Sequence, residues 1–147
     1  MDRHKEWIAM TSMRDVERLA LSMPDAQMEL RDDDRPAFVV DKKLFCFHRT
    51  KRGDAVDPDT GERLDDVLVF RVADEEMKAM WLAERPDVFF TTYHFQGYPW
   101  ILLRIPSLAE IGREELFELV SDAWLARAPK RLASNWLADQ GLAADEE

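Results

Sequence analysis

Several residues that define special protein classes are scarce in this chain. Its 147 residues include one cysteine, Cys46, five glycines and seven prolines. A single cysteine excludes an internal disulfide framework and a Cys-rich zinc site, and so little glycine and proline excludes collagen-like and low-complexity architectures. The sequence also lacks an apolar run of about 18 residues and an apolar signal core near its start. We therefore expect a cytoplasmic protein without a membrane partner.

Charge and apolar content indicate a folded, acidic protein. The chain carries 30 Asp and Glu against 20 Lys and Arg, for a formal net charge of -10. Because 46% of the residues are hydrophobic and 34% are charged, the composition is that of a globular chain rather than a disordered one. The length suits one domain. We predict an N-terminal extension over residues 1–11, a single domain over 12–138 and an acidic C-terminal tail over 139–147.

Apolar residues at helical spacing predict four helices. Ser12, followed three residues later by Asp15, resembles a capping box and predicts a helix over about 12–23 that Pro24 ends. Further helices are predicted over about 74–84, 113–127 and 129–138. The side chains assigned to their inward faces are Met77, Met80 and Trp81, then Leu116, Phe117, Val120, Ala123 and Trp124, and finally Leu132, Trp136 and Leu137.

Short apolar segments bounded by Asp, Lys and Gly predict strands. These segments lie at 27–31, 36–40, 43–50, 67–72, 88–91 and 100–105. Asp41-Lys42 is typical of a tight hairpin turn, and the polar residues 50–66 indicate the long tip of a second hairpin. Strands this close together in sequence leave no room for parallel crossovers. The expected fold is therefore α+β, with an antiparallel sheet flanked by helices.

The sequence offers no catalytic or metal-binding constellation. No Ser/His/Asp order, glycine-rich phosphate loop or nucleophile elbow occurs, and His4, His48 and His94 are dispersed rather than placed at ligand spacing. Cys46 lies within an apolar run, where a free cysteine behaves as a small hydrophobic residue. We therefore expect neither an enzyme nor a metal or cofactor site.

A cluster of cations over residues 40–52 is the first candidate binding surface. Its local charge is +4, which leaves -14 for the rest of the chain. On an acidic chain this hairpin is a positive projection of the kind that attracts phosphates. The alternative is a solubilising edge strand, since exposed lysines block sheet-to-sheet aggregation. The cations of the cluster are Lys42, Lys43, Arg49, Lys51 and Arg52.

An aromatic loop over residues 89–100 is the second candidate. Tyr93, His94 and Tyr98 would offer polar-tipped rings to stacked bases or to a flat ligand. The alternative is that the aromatic residues pack as core beneath the loop. The further cations that would extend the footprint of either surface are Arg104, Lys130 and Arg131.

Five ordered segments carry a family resemblance. They are Ser22-Met23-Pro24, Arg35-Pro36-Ala37-Phe38, Lys43-Leu44-Phe45, the aromatic segment 89–100, and Ala123-Trp124 with residues 128–132. Together they resemble the MmcQ/YjbR family of small bacterial proteins over about 12–138. The resemblance implies a frataxin-like (CyaY-like) fold and a double-wing arrangement suggestive of DNA binding, with the wings at 42–52 and 93–100. It implies no catalytic residue.

Two functions follow as expectations. The first is a non-enzymatic DNA-binding module that uses the basic hairpin and the aromatic loop, although the net charge of -10 opposes it. The alternative is an adaptor that binds a protein or a small anionic ligand, because Lys130 and Arg131 at a helix start need an anion to offset the helix dipole. A metal-handling role, by analogy with frataxin-like folds, ranks last because Asp15 and Glu17 form no dense acidic ridge.

Overall fold

A six-stranded antiparallel sheet organises the protein in the computed structural model, which describes residues 11–141. Residues 1–10 of the predicted extension and 142–147 of the predicted acidic tail lie outside the described residues. The strands are β1 (Gln27–Arg31), β2 (Arg35–Val40), β3 (Lys43–His48), β4 (Val67–Arg71), β5 (Phe89–Phe90) and β6 (Trp100–Arg104). The helices are α1 (Met13–Ser22), α2 (Glu75–Glu84), α3 (Arg113–Arg127) and α4 (Lys130–Asp139). The strand order is β1-β2-β3-β4-β6-β5, which confirms the predicted α+β architecture.

Cap and turn residues set the boundaries of these elements. The Asp15 carboxylate accepts a hydrogen bond from the Ser12 amide at 2.9 Å, and Asp74 caps α2 by accepting an amide hydrogen bond at the same distance of 2.9 Å. Asp41 and Lys42 have φ values of 51° and 64°, as a two-residue hairpin turn between β2 and β3 requires. The predicted capping box and tight turn are therefore confirmed.

The two faces of the sheet are covered differently. On one face the helices bury the main core, to which α1 contributes Val16, α2 contributes Trp81 and α3 contributes Trp124. The opposite face carries a smaller cluster, to which no helix of the described residues contributes. Loop residues at 50–66 and 93–99 cover that second face in part. The buried members of the smaller cluster are Val67, Val69, Phe95 and Leu102.

The inward assignment of Met80 and Phe117 is wrong. Met80 is 40% exposed and Phe117 is 41% exposed. Helix α2 buries Lys78 in place of Met80, while Trp81 is buried as predicted. In α3, Leu116 and the buried residues about one turn further along lie on one face of the helix. Phe117 directly follows Leu116, so it lies about 100° around the helix axis from that face. The ring of Phe117 then packs on the side of α4, which itself stays half-buried.

The start of the fourth helix also differs from the prediction. Helix α4 begins at Lys130, and Pro129 is its N-cap rather than a residue of its first turn. Pro129 adopts an extended ψ of 147°, so it turns the chain between α3 and α4. Within residues 11–141, no helix is both long and apolar enough to span a bilayer.

Candidate anion-binding site

A cleft of about 550 Å³ opens at one end of the sheet. Its walls are formed by the neighbouring ends of β1, β2 and β3, by residues 49–54 after β3, and by the turn at 93–95. The second face of the sheet supplies an apolar wall. The apolar side chains that line the cleft are Leu44, Phe47, Phe95 and Trp100.

Arginines gather at this end because the strands are antiparallel. Arg31 ends β1 and Arg35 begins β2, and the two are direct partners across the strands. Arg49 follows β3, and its amide donates to the Val67 carbonyl at the start of β4 at 2.8 Å. Arg104 ends β6 opposite Val67. Four guanidinium groups separated in sequence therefore belong to one end of the sheet.

Arg35 is held by neutral groups rather than by a carboxylate. Its Nη1 donates to the Asp65 carbonyl at 2.7 Å and to the Arg49 carbonyl at 3.0 Å, and it lies 2.7 Å from Nε2 of His48. Its Nε is buried and has no hydrogen-bond partner within residues 11–141. None of the ion pairs formed by the described residues includes Arg35. Arg35 is therefore a half-buried cation whose charge no carboxylate among residues 11–141 neutralises.

Arg49 and Asp54 join the segment after β3 to the aromatic loop. The buried Arg49 guanidinium pairs with both carboxylate oxygens of Asp54, at 2.8 and 3.0 Å. Asp54 also accepts the His94 amide at 3.4 Å, and the Arg49 guanidinium lies 5.1 Å from the centre of the Phe95 ring. The hydrogen bonds from Arg49 lower the pKa of Asp54 to about 2. The carboxylate is therefore charged at any physiological pH and keeps the two segments together.

Lys78 supports the aromatic loop from beneath. Lys78 is only 5% exposed. Its Nζ donates to the carbonyls of Phe95 and Tyr98 at 2.7 Å each. Gly97, between these two residues, has a φ of 81°, a conformation that glycine adopts without strain. Burial lowers the pKa of the Lys78 ammonium group. The cleft wall at 93–98 is therefore a fixed turn rather than a loose loop.

The charges that line the cleft sum to a positive value. Four arginines face two aspartates, so the lining carries +2 when histidines are neutral, on a chain whose net charge is -10. Arg31 also pairs with Glu29 just outside the cleft at 3.0 Å. Arg52 forms no ion pair within the described residues. The charged lining residues are Arg31, Arg35, Arg49, Arg52, Asp32 and Asp54.

Most of the chain matches one protein family. The YjbR family model covers residues 21–126. This chain belongs to the YjbR family. It is 36% identical over 140 residues to the uncharacterized protein Rv2570 of Mycobacterium tuberculosis and to the uncharacterized protein Mb2600 of Mycobacterium bovis, over 90% of this chain and 100% of each relative. The resemblance noted from the sequence is thus confirmed.

A solved structure shows the same fold. The crystal structure of Deinococcus radiodurans protein DR2400, with a DUF419 family-model domain, matches this YjbR protein with a TM-score of 0.56 at 17% identity, over 90% of each chain. At that identity the likeness concerns the arrangement of strands and helices. The interpretation of the cleft therefore rests on the geometry of this chain.

The structure divides the cations predicted as binding residues into two groups. Arg49, Lys51 and Arg52 lie at the cleft end of β3, whereas Lys42 and Lys43 lie at its other end, about 16 Å away at 3.3 Å per residue. Lys42 lines a separate depression with Pro129, next to the start of α4. The two cations of the first turn of α4, Lys130 and Arg131, are exposed.

The other predicted binding residues are divided between the two ends of the sheet. His94 lines the cleft, and Tyr93 beside it is 87% exposed. Tyr98 is 60% exposed and lies near the far end of β4, where the Pro99 carbonyl accepts the Val72 amide. Arg104 pairs with Asp66 through two hydrogen bonds of 2.9 and 3.1 Å. Its charge is therefore already neutralised.

Two residues of the site escape prediction from the sequence. Arg35 stands at the start of a strand and reads as one of many surface arginines, and Lys78 reads as a solvent-facing helical lysine. The proline after Arg35 is the one feature of the sequence that helps to place it, because a residue before proline favours an extended backbone. Nothing in the local sequence of Lys78 marks it as buried.

Proposed function

We propose that this YjbR protein is a cytoplasmic, non-catalytic binding protein whose cleft takes a small anionic ligand. The observation that carries the proposal is Arg35, a half-buried cation that lines the cleft and has no carboxylate partner among residues 11–141. A charge that is partly removed from water without a counter-charge is destabilising. A carboxylate or phosphate group that enters the cleft beside Arg35 supplies that counter-charge.

The remaining walls define what else the ligand carries. Arg52 offers a second cation without a counter-charge, and Phe47 and Trp100 offer an apolar surface. Small-molecule sites combine an apolar lining with a few polar groups that fix orientation. The ligand expected here is a carboxylate or phosphate ester with a compact apolar body. The sheet wall then contacts that body while Arg35 and Arg52 hold the anionic head.

The arrangement favours binding over catalysis. His48 is the titratable side chain closest to Arg35, and its Nε2 lies 2.7 Å from the Asp65 carbonyl. Thr50 is the one hydroxyl-bearing residue among those that line the cleft, and among the described residues no hydrogen bond joins it to His48. The lining residues therefore do not form a linked nucleophile, base and orienting group.

The test is a titration with two matched variants. The probes are inorganic phosphate, acetate, benzoate and a phenyl phosphate ester, measured by thermal shift and by calorimetry. Arg35→Gln keeps a polar side chain with N–H donors and removes the charge, and Arg14→Gln removes the same charge from the exposed face of α1. We expect the protein to bind one or more probes, with at least about tenfold weaker affinity in Arg35→Gln, which corresponds to about 1.4 kcal/mol.

Two outcomes contradict this function. If the folded wild-type protein binds none of the anions at low ionic strength, the cleft is not an anion site. If Arg14→Gln weakens binding as much as Arg35→Gln does, the anions respond to net charge alone. Circular dichroism of both variants checks that each remains folded.

Duplex DNA is the second candidate, and one observation favours it. Lys51 and Arg52 are exposed without ion pairs in the described part of the chain, and the exposed Tyr93 lies on the neighbouring turn. These groups suit phosphate and base contacts at the rim of the cleft. A labelled duplex titrated across a salt series tests it. Two phosphate contacts give a log-log slope of about -2, which Lys51→Gln with Arg52→Gln removes; absence of binding at low salt ends this candidate.

A further inference from the structure

Strand β1 forms an open edge of the sheet. Gln27–Arg31 pairs with β2 alone, and all five of its residues are exposed. Two of its side chains are apolar: Leu30 is 60% exposed and Met28 is 43% exposed. Among residues 11–141, nothing covers the outer side of this strand. An edge with free backbone groups and exposed apolar side chains is a template for another strand.

Proline in β2 fixes which backbone groups point outward. Leu30 is the cross-strand partner of Pro36, and proline has no N–H with which to form the two bonds of a hydrogen-bonded pair. Leu30 and Pro36 are therefore a non-hydrogen-bonded pair, and the bonds to β2 come from Glu29 and Arg31. The N–H and C=O groups of Met28 and Leu30 face the open edge.

The charges of the strand are complementary to themselves. Glu29 and Arg31 lie on one face of β1 and pair with each other at 3.0 Å, with side chains 49% and 50% exposed. In an antiparallel pairing of two copies centred on Leu30, Glu29 of each copy lies opposite Arg31 of the other. Cross-strand pairs of opposite charge stabilise a sheet, and like charges directly opposite destabilise it.

We propose that β1 pairs with β1 of a second copy of this chain, antiparallel and centred on Leu30. The two Leu30 residues then form a hydrogen-bonded pair through the groups that face outward. The two Glu29 and two Arg31 side chains form a closed ring of alternating charge on one face. The two Leu30 side chains meet on the other face, each with Met28 of its own strand beside it, and the sheet continues from one copy into the next.

The strand that pairs with β1 belongs to a second copy of this chain because β1 is complementary to its own image. An isologous contact needs a surface that is complementary to its own image, and a Glu-Leu-Arg strand centred on its middle residue meets that condition. Charged side chains on an edge strand generally discourage pairing with other chains, whereas in this pairing each charge lies opposite its counter-charge. One strand pair buries less than the roughly 1,200 Å² of a stable complex, so the dimer is weak.

Charge reversal tests the pairing by sedimentation equilibrium of the full chain at low ionic strength. Glu29→Arg places Arg opposite Arg, and Arg31→Glu places Glu opposite Glu, so each variant alone is expected to be monomeric. Mixed together, the two variants restore two opposite-charge pairs and are expected to form a heterodimer. The double variant Glu29→Arg with Arg31→Glu exchanges the charges and is expected to dimerise like the wild type.

Cysteine cross-linking tests the register. In the proposed pairing the two Leu30 Cα atoms lie about 5.5 Å apart, within reach of a disulfide. The two Met28 residues are offset by four positions, about 13 Å along the strand. Leu30→Cys is expected to cross-link at least about tenfold faster than Met28→Cys, since the native Cys46 is buried and takes no part.

Four results overturn the pairing. The first is a wild-type chain that stays monomeric at millimolar concentration, and the second is a mixture of the two charge variants that stays monomeric. The third is cross-linking of Met28→Cys as fast as Leu30→Cys, which excludes the register. A monomer that loses stability on Leu30→Lys would assign the edge to another segment of the same chain and would also overturn the pairing.

Discussion

Asp54 gives the sharpest test of the site, because its replacement is expected to lower stability and raise anion affinity together. Asp54→Asn keeps the size of the side chain and leaves an oxygen that accepts the His94 amide. It removes the negative charge that faces the buried Arg49. The cleft lining then carries +3 in place of +2.

The magnitude of the stability loss follows from the pKa of Asp54. Hydrogen bonds from Arg49 lower that pKa from 3.8 to about 2, which corresponds to about 2 kcal/mol for the full shift. The Asp54 side chain is 21% exposed, so solvent screening reduces the expected loss to about 1 to 2 kcal/mol. For a chain of this size, that loss lowers Tm by about 2 to 8 °C.

The pH dependence has a definite sign. A carboxyl group whose pKa is lower in the folded protein stabilises the fold above the unfolded pKa, near 4, and loses that contribution as the pH falls towards 2. The difference in unfolding free energy between wild type and Asp54→Asn is therefore expected to be constant above pH 5 and to shrink between pH 4 and pH 2. Urea unfolding at each pH measures it.

The change in affinity has the opposite sign. One added positive charge at about 6 Å in water contributes about 0.7 kcal/mol, or about threefold tighter binding of a monoanion. A calorimetric titration with the anion that binds wild type measures it. The reasoning is refuted if Asp54→Asn matches wild type in stability at pH 7, or if it binds the anion more weakly while folded.

The remaining predictions concern the supports of the fold. Lys78→Met removes the hydrogen-bond donor to the carbonyls of the aromatic turn. It is expected to lower the free energy of unfolding by about 1 to 3 kcal/mol and to speed chymotrypsin cleavage at Tyr93 and Tyr98. Lys43→Met, at an exposed position, is expected to change neither quantity. Burial raises the pKa of Cys46, so its thiol is expected to react with a disulfide reagent at the rate of unfolding only; rapid labelling of the native protein would contradict this. Replacing Asp41-Lys42 with Asn-Gly suits the two positive φ values and is expected to stabilise the protein by about 0.5 to 1 kcal/mol in urea unfolding; a loss would contradict the turn geometry.

Local signals in the sequence were sufficient for the architecture. Ser12 and Asp74 mark helix starts because the Asp15 carboxylate accepts the Ser12 amide and the Asp74 carboxylate accepts the amide three residues on. Asp41-Lys42 marks a hairpin because the two strands are adjacent in sequence. These features depend on residues fewer than five positions apart. The strand positions and the α+β class likewise follow from short apolar segments and from their order along the chain.

The site depended on contacts that no local pattern contains. Arg35 receives its partners from residues 14 and 30 positions away, and Lys78 is buried by a turn 17 to 20 positions away. Phe117 shows the same limit, since an aromatic residue next to a buried stripe has no sequence mark of its exposure. Charge counting located the cations of the hairpin correctly, yet the length of β3 separates Lys42 and Lys43 from Arg49.

The position of Trp100 provides an intrinsic optical probe. Its indole lines the cleft, with the Phe47 ring 5.8 Å away and the Arg71 guanidinium 5.5 Å away, whereas Trp81 and Trp124 are shielded on the far side of the sheet. Trp136 is also half-buried, and Trp7 lies outside the described residues. With Trp7 and Trp136 replaced by phenylalanine, quenching by a soluble collider such as acrylamide separates the emission of Trp100 from that of the interior. Occupancy of the cleft becomes measurable by fluorescence without any label attached to the protein.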